Sequence, residues 1–344
     1  MNNISYAEYD QLDHENTILL ENFLKENNFE LNTLFLSPSW IYKTINQYDV
    51  AFRLIFFFQD DNVIGVHLRF NEFRGHIRIS NYNFVIRSFI TPILKKFFSY
   101  TIWKYPLLLK NNLTNDALEY VNDCFELIIK NIEHVTLSPI NDKRINKFNH
   151  KYVSKWATYI LDLRSKEYSD VLSSYSKSLK KSIRKYRNNK DINCEKLNFC
   201  NKEEVDFFIN WVKIAQKTTG KKIKHDTKAL VKFRNELVEN GFVYEIFIAK
   251  LKNKDILGSL VIYGDDNFVN EAEANASIVA KEMKVMVHDL LRDDVVMHCL
   301  DCGIGFYDLS GFNPKESISN KEQGIRFGKS KFRGNEVQYP ILNW

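Results

Sequence analysis

The sequence predicts an α/β protein of the α+β type, with sheets flanked by helices and two domains in one chain. Three observations predict it. Short apolar runs of strand character alternate with segments that keep the 3.6-residue period of amphipathic helices. The chain has 344 residues and a mass of 40.7 kDa, more than one ordinary domain. Hydrophobic residues are 44% and charged residues 26%, which supports real cores and excludes a disordered, collagen-like or coiled-coil chain.

The elements follow in order. A helix is expected around Thr17–Lys25. "AFRLIFFFQ" (Ala51–Gln59) and "NVIGVHLRF" (Asn62–Phe70) read as two strands around an Asp60-Asp61 turn. "GHIRISNY" continues with alternation. "DALEYVNDCFELIIKNI" (Asp116–Ile132) has helical period, and "HVTLSPI" follows as a strand. Residues 141–153 are polar and read as a linker, so the domains are expected at 1–150 and 151–344.

The second half opens with the strand "ATYILDL" (Ala157–Leu163). Lys166–Lys190 reads as one long helix, because Leu172, Tyr175, Leu179, Ile183 and Tyr186 recur at spacings of three and four. "DFFINWVKIAQ" is a second helix, introduced by Asn201 with Glu204 three residues on. A third is expected between an Asp226 cap and an Asn240-Gly241 stop. "FVYEIFIAKL" and "DILGSLVIYG" form a hairpin with its turn near Asn253-Lys254, and "NFVNEAEANA" adds a third antiparallel strand. "KEMKVMVHDLLRDDVVMHCLDCG" reads as a helix of about six turns ended by Gly303. The strand "GFYDLSG", a short helix, and a basic turn leading into a last strand complete the chain.

The charge is unevenly distributed. Formal net charge is +5, too weak by itself to mean nucleic acid. Residues 1–150 hold 15 Lys/Arg and 17 Asp/Glu, a balance of −2; residues 151–344 hold 33 and 26, a balance of +7. The five cysteines are odd in number and dispersed apart from the CxxC at Cys299 and Cys302. With a polar N-terminus that fits no signal or transit peptide, this reads as a reducing, cytoplasmic protein. No apolar run approaches the length of a membrane span.

Four places could carry chemistry. Lys177, Lys180, Lys181, Arg184, Lys185, Arg187 and Lys190 put seven cations in 14 residues without an acid among them. Like charges at i,i+4 repel, so such a face is either a solvated helix surface or a binding site for phosphate. Lys329, Lys331 and Arg333 form a basic turn anchored by Phe332, with Gly328 and Gly334 allowing close backbone approach. Glu271 and Glu273 lie two apart on a strand, so their carboxylates should share a side and raise one pKa, as a general base requires. Tyr307 and Asp308 end an apolar strand before Gly311, where α/β sheets place ligands. His298, Cys299 and Cys302 have no second CxxC, so no metal is expected. Neither a GxGxxG, a P-loop nor a GxSxG is present.

Three stretches of the second half resemble the FemA/FemB/FemX group of peptidyl (aminoacyl) transferases and the wider double acyltransferases of GNAT fold. "SYSKSLKKSIRKYRN" is similar to the family's "lRrsIRKA" helix. "GIGFYDLSG" is similar to its "yyDlgG" strand. "GIRFGKSKFRGNEVQYP" is similar to its closing "GlyrFKkgFGGelv.yp", which places Lys329 on the family's lysine and Phe332 and Gly334 on its Phe-Gly. Order and spacing fit over roughly residues 155–340. Ser310 and Arg333 stand where the family usually has Gly. No coiled-coil arm interrupts the second half, and the Q/R-x-x-G-x-G/A pyrophosphate signature is absent, with "QKTTGKK" a poor echo.

The resemblance implies two tandem GNAT-like domains, each a mixed, largely antiparallel sheet flanked by helices, with a cleft between them. It implies transfer of an aminoacyl group from aminoacyl-tRNA to an amine of a peptidoglycan or other cell-envelope precursor, or of a natural product. No cofactor is expected to be held permanently; aminoacyl-tRNA or acyl-CoA enters as co-substrate. The expected partners are tRNA and a nucleotide- or lipid-linked acceptor, with peripheral contact at the inner membrane face. Lys329 is assigned to the oxyanion or the 3′-terminal phosphate, and Glu273 or Asp308 to the amine. Lys180, Lys181, Arg184, Tyr307, Lys331, Phe332 and Arg333 are assigned to substrate. Two other readings stay open: an acyl-CoA-dependent N-acyltransferase acting on an amino sugar of a surface polysaccharide, and a non-catalytic RNA- or anion-binding module.

Overall fold

A computed structural model describes residues 4–27, 41, 51–73, 99–101, 107–129, 135–136, 151–217, 227–239, 241–252, 254–315 and 319–343. The chain forms two compact units, Met1–Trp156 with Gln338–Trp344, and Ala157–Val337. The expected linker lies outside the described residues up to position 150. So do "GHIRISNY", residues 218–222 of "QKTTGKK", and the Asp226 and Asn240 helix signals.

In the first unit, strands β1 (Ile4–Tyr9), β2 (Ala51–Gln59), β3 (Asn62–Phe73) and β4 (Ser99–Thr101) pair in that order, and β5 (Leu107–Leu109) also pairs with β3; every pairing is antiparallel. The continuous apolar run of β2 marks a strand buried on both faces. Leu54 and Phe56 pack with Leu20 and Phe23 of helix α1 (His14–Glu26). Ile55 and Phe57 point the other way, onto Ala117 and Val121 of α2 (Asn115–Ile129). The hairpin turn holds Asp60 and Asp61 at positive φ, 48° and 65°, the left-handed conformation a two-residue turn requires. A short strand, β6 (Val135–Thr136), follows.

In the second unit the sheet order is β7 (Lys151–Asp162), β12 (Phe306–Asp308), β11 (Phe268–Ala276), β10 (Asp255–Gly264), β9 (Val243–Leu251), β8 (Ile192–Lys196). All these neighbours are antiparallel except β11 and β12, which are parallel. β8 escapes the reading above, because its alternation is only two apolar residues long, Ile192 and Cys194. Helices α3 (Tyr168–Ser174), α4 (Lys177–Arg187) and α8 (Val287–Cys302) cover one face through Val171, Leu179, Ile183 and Val295. Helices α5 (Lys202–Lys217) and α6 (Thr227–Glu239) cover the other through Val205, Ile209 and Leu230. A short α7 (Ile278–Glu282) precedes α8, α9 (Asn320–Ser330) follows β12, and β13 (Asn335–Asn343) ends the chain.

Two long helices of the sequence reading are each broken. The segment 166–190 divides at Tyr175, whose ψ is 153°, and Ser176 caps the new helix by accepting Leu179 N at 3.3 Å. The apolar spacing runs unbroken through the gap, so periodicity alone does not show it. The break serves tertiary structure: Ser176 N donates to Lys331 O at 2.9 Å, and Tyr175 packs edge-on to Phe332 at 5.0 Å. The segment 281–303 likewise starts its helix at Val287, because Lys284 takes a positive φ of 53°. Gly303 ends it in the left-handed conformation, φ 72°, as expected.

Candidate functional site

β11 and β12 pair over only three residues, Phe268–Asn270 against Phe306–Asp308. Beyond them β11 continues beside β10, while the chain after Asp308 bulges at Ser310 and rejoins β7 where Phe312 pairs with Ala157. β11 and β12 therefore part beyond Asn270 and Asp308, a notch with the Lys329 amine on its rim, held by the carbonyls of Ser310 and Gly311.

Lys329 lies in the last turn of α9, not in an open basic turn as the sequence suggested. The helix is set by a capping box: Ser319 Oγ accepts Glu322 N at 3.3 Å, and Glu322 Oε2 accepts Ser319 N at 3.1 Å. Gly328 is an interior helical residue where an added Cβ would meet nothing within 4 Å, so it serves no close approach. Lys329 is only 5% exposed. Its Nζ donates to the carbonyls of Ser310 at 3.0 Å and Gly311 at 3.2 Å, leaving one of three N–H groups. Burial pushes its pKa down to about 8, against the pull of Glu271 and Asp308.

Asp308 is buried on the same rim. Its Oδ1 accepts from Thr158 Oγ1 and from Ser310 N, the latter at 2.7 Å. Burial pushes its pKa up to about 6, although both hydrogen bonds and the Lys329 charge oppose this. The next residue inward, Tyr307, is fully buried, and its hydroxyl makes no hydrogen bond among the described residues.

The two glutamates part company. A bulge at Ala272 shifts the register between Val261–Glu273 and Ile262–Glu271, so strict alternation fails there. Glu271 turns inward and pairs with Arg292 of α8 in a two-pronged ion pair, 2.7 Å and 2.8 Å. Burial alone raises its pKa, but the guanidinium, with Lys329 and His288, brings it below the usual range. The raised carboxylate expected on this strand is thus overturned at Glu271. Glu273 is half-buried and accepts from Asn275 Nδ2 at 3.1 Å.

Beside this pair, Lys331 Nζ is ion-paired with Asp289 in the first turn of α8, and both are buried. His288 precedes Asp289 on α8; burial, then the Arg292 charge, lowers its pKa, and its Nε2 has no hydrogen-bond partner among the described residues. Asp289, Arg292 and Thr158 escaped the sequence reading, which took His288 for a packing residue. The one visible signal for Asp289 and Arg292 is the charged "HDLLRDD" inside an otherwise apolar helix. Phe332 is fully buried. Gly334 packs so closely on β7 that an added Cβ would stand 2.9 Å from Ile160 O, so its close approach is to the protein's own backbone. Arg333 is exposed at φ 60° and borders a cavity of about 270 Å³ with Lys166, Asp170, Ser174 and Phe332.

The basic helix α4 buries Leu179, Ile183 and Tyr186. Lys177, Lys181, Arg184 and Lys185 are exposed and have no ion-pair partner among the described residues. Two cations are internally engaged: Lys180 Nζ donates to Ser173 O at 2.8 Å, and Arg187 pairs with Asp293 at 2.5 Å and Asp294 at 2.7 Å. The anion-binding face is therefore smaller than seven charges.

No protein-family model and no curated protein sequence matches the chain. Solved structures do. FemX superposes with a TM-score of 0.58 at 11% identity, over 97% of this chain and 96% of that one. A tandem GNAT protein from the clavulanic acid biosynthesis pathway gives 0.54 at 7% identity, over 99% and 98%. L-PGS from Bacillus licheniformis gives 0.51 at 12% identity, over 97% and 92%. The chain has the tandem GNAT-like fold of these proteins. Among the described residues, no helix is long and apolar enough to cross a membrane.

Proposed function

We propose that the protein is an N-acyltransferase that moves an aminoacyl group from aminoacyl-tRNA to an amine of a cell-envelope precursor or natural product. The observation that carries this reading is the buried ammonium of Lys329 in the notch beside β12, within a fold shared with FemX. In this reading residues 1–150 and 151–344 are the two GNAT-like domains, and the donor is a co-substrate with no cofactor held between turnovers.

The chemistry needs few groups. The acceptor nitrogen uses its lone pair to form a C–N bond at the ester carbonyl, and the C=O π pair moves to oxygen. The remaining N–H of Lys329 meets that oxyanion, in a buried place where one charge-assisted hydrogen bond is strong. The ammonium formed on the acceptor passes its proton to Asp308, whose pKa of about 6 suits a base near neutrality. Collapse restores C=O, breaks the C–O bond, and the ribose oxygen leaves with that proton. Glu273 orients the amine. Lys181 and Arg184 hold phosphates of the donor, while Lys331, Phe332, Tyr307 and Arg333 shape the site. Buried Tyr307, Lys331 and Phe332 act by supporting the notch, and exposed Arg333 by touching substrate.

A second reading, acyl-CoA-dependent transfer to an amino sugar or other amine, is favoured by the likeness to a tandem GNAT protein. One experiment separates them. Purified protein is given an amine acceptor with charged tRNA, with charged tRNA after RNase, or with acyl-CoA alone. Product only with intact charged tRNA is expected. Product from acyl-CoA alone moves the assignment to the second reading. No product from either donor, with RNA affinity unaltered in Lys329→Ala, overturns both and leaves an RNA- or anion-binding module.

A further inference from the structure

We propose that the segment joining β11 to α8 is a docking surface for an anionic lipid bilayer. Ile278, Met283 and Met286 are 65%, 43% and 54% exposed, three large aliphatic side chains at the surface within nine residues. Single exposed apolar residues are ordinary, but a cluster marks an interaction site.

The segment is held so that these side chains stay outward. Ser277 accepts Ala280 N at 3.0 Å, and Ala280 is buried in the core. Lys284 is fixed at positive φ. The hydroxyl of Tyr186 donates to Lys284 O at 3.2 Å and accepts from Met286 N at 3.1 Å. That tyrosine belongs to α4, so the turn is tied to a buried helix face.

Charge favours a bilayer as occupant. Lys281 and Lys284 are exposed within the segment, and Glu282 is its one acid. Lys185, also exposed, stands 5.5 Å over the Tyr186 ring. Exposed aliphatic side chains interspersed with lysines match an interface in which side chains enter the acyl boundary and lysines meet anionic headgroups. RNA is disfavoured, since Ile and Met offer no ring for a base to stack on.

The segment also lies at the site end of α8. Asp289 N donates to Met286 O at 3.0 Å, and the Asp289 carboxylate holds Lys331. A bilayer docked here would bring a lipid-linked acceptor toward the Lys329 notch. That consequence rests on the acyltransferase reading; docking itself does not.

The test is sedimentation of the full chain with phosphatidylglycerol/phosphatidylcholine vesicles and with phosphatidylcholine alone. Binding to the anionic vesicles is expected. The pair Met283→Ser/Met286→Ser should weaken it by about tenfold or more, while Met283→Leu/Met286→Leu keeps it. Lys281→Gln and Lys284→Gln should each cost about fivefold. Wild-type protein left in the supernatant, or equal binding by the Ser and Leu pairs, overturns the proposal. If the Ser pair loses tRNA affinity as much as vesicle affinity, the surface is an RNA site instead, which also overturns it. Unchanged turnover of a water-soluble acceptor by the Ser pair keeps this result distinct from failure of the enzymatic reading.

Discussion

Lys329 Nζ donates to the carbonyl oxygen of Ser310 at 3.0 Å, and Ser310 N in turn donates to Asp308 Oδ1 at 2.7 Å. One backbone unit thus ties the buried ammonium to the buried carboxylate. Replacing Lys329 with Met keeps its bulk and removes its donors. The expected outcome is a fall in kcat of about 10²–10³, the usual cost of losing one oxyanion donor, with little change in acceptor KM. Single-turnover assays of Lys329→Met and Lys329→Arg check it. An unaltered rate in the Met variant would remove Lys329 from the reaction.

The pH dependence follows from the same two groups. Asp308 must be ionised to accept a proton and titrates at about 6; Lys329 must be protonated to donate and titrates at about 8. The kcat/KM profile should be a bell with its maximum near pH 7. Asp308→Asn should remove the acid limb. Stability moves too. Asp308, raised in the folded state, stabilises below the ordinary carboxylate pKa and loses that contribution as pH rises through 6. Lys329, lowered in the folded state, stabilises above the ordinary lysine pKa and loses that contribution as pH falls through 8. Thermal melts of the two variants across pH 4–10 measure both signs.

Arg333 holds a φ of 60° where a side chain strains the backbone. Arg333→Gly removes that strain but loosens the unfolded chain, two terms of about 1 kcal/mol each and opposite sign. Stability should stay within about 1 kcal/mol of wild type, while substrate KM rises because an exposed cation beside the cavity is lost. Urea melts and steady-state kinetics check the two halves. A drop in stability with unchanged KM would reverse the assignment.

The residues divide by how their signals travel in sequence. Ser310 and Arg333 were visible as departures from the resembling family's Gly positions, and both prove to be left-handed. β2, β3, β9, β10 and β11 were legible because their apolar runs and turn residues are local. The broken helices at Ser176 and Lys284 were not, because the stripe of buried residues continues across each break. The Glu271–Arg292 pair was not legible either: the Ala272 bulge that turns Glu271 inward leaves no mark on the alternation of "NEAEAN". Its partner comes from 21 positions away.

That pair gives a stability prediction. Glu271→Gln leaves a buried guanidinium with half its partner and should cost about 3–5 kcal/mol. The double variant Glu271→Leu/Arg292→Met removes both charges and should recover most of the loss, since well-packed apolar replacements of buried ion pairs are often neutral. Denaturant midpoints of the wild type, Glu271→Leu, Arg292→Met and the double variant form the cycle. Additive losses would show that the two side chains stabilise the fold independently.

The exposed cations of α4 give the last test. Lys177, Lys181, Arg184 and Lys185 crowd one helix surface at spacings of three and four, so they repel when nothing is bound. Lys181→Gln/Arg184→Gln should leave stability unchanged or raise it by a few tenths of a kcal/mol. If those charges hold tRNA phosphates, the same change should weaken tRNA binding at low salt. It should also flatten the slope of log affinity against log salt by about 1–2, since each phosphate contact releases roughly one counterion. Arg187→Gln should differ on both counts. It breaks the bond to buried Asp293 and destabilises the packing of α4 on α8, yet leaves the salt slope where it was. Salt titrations of tRNA affinity, read beside thermal melts, separate a phosphate-binding face from a solvated one: a solvated face gains stability on neutralisation and shows no change in slope.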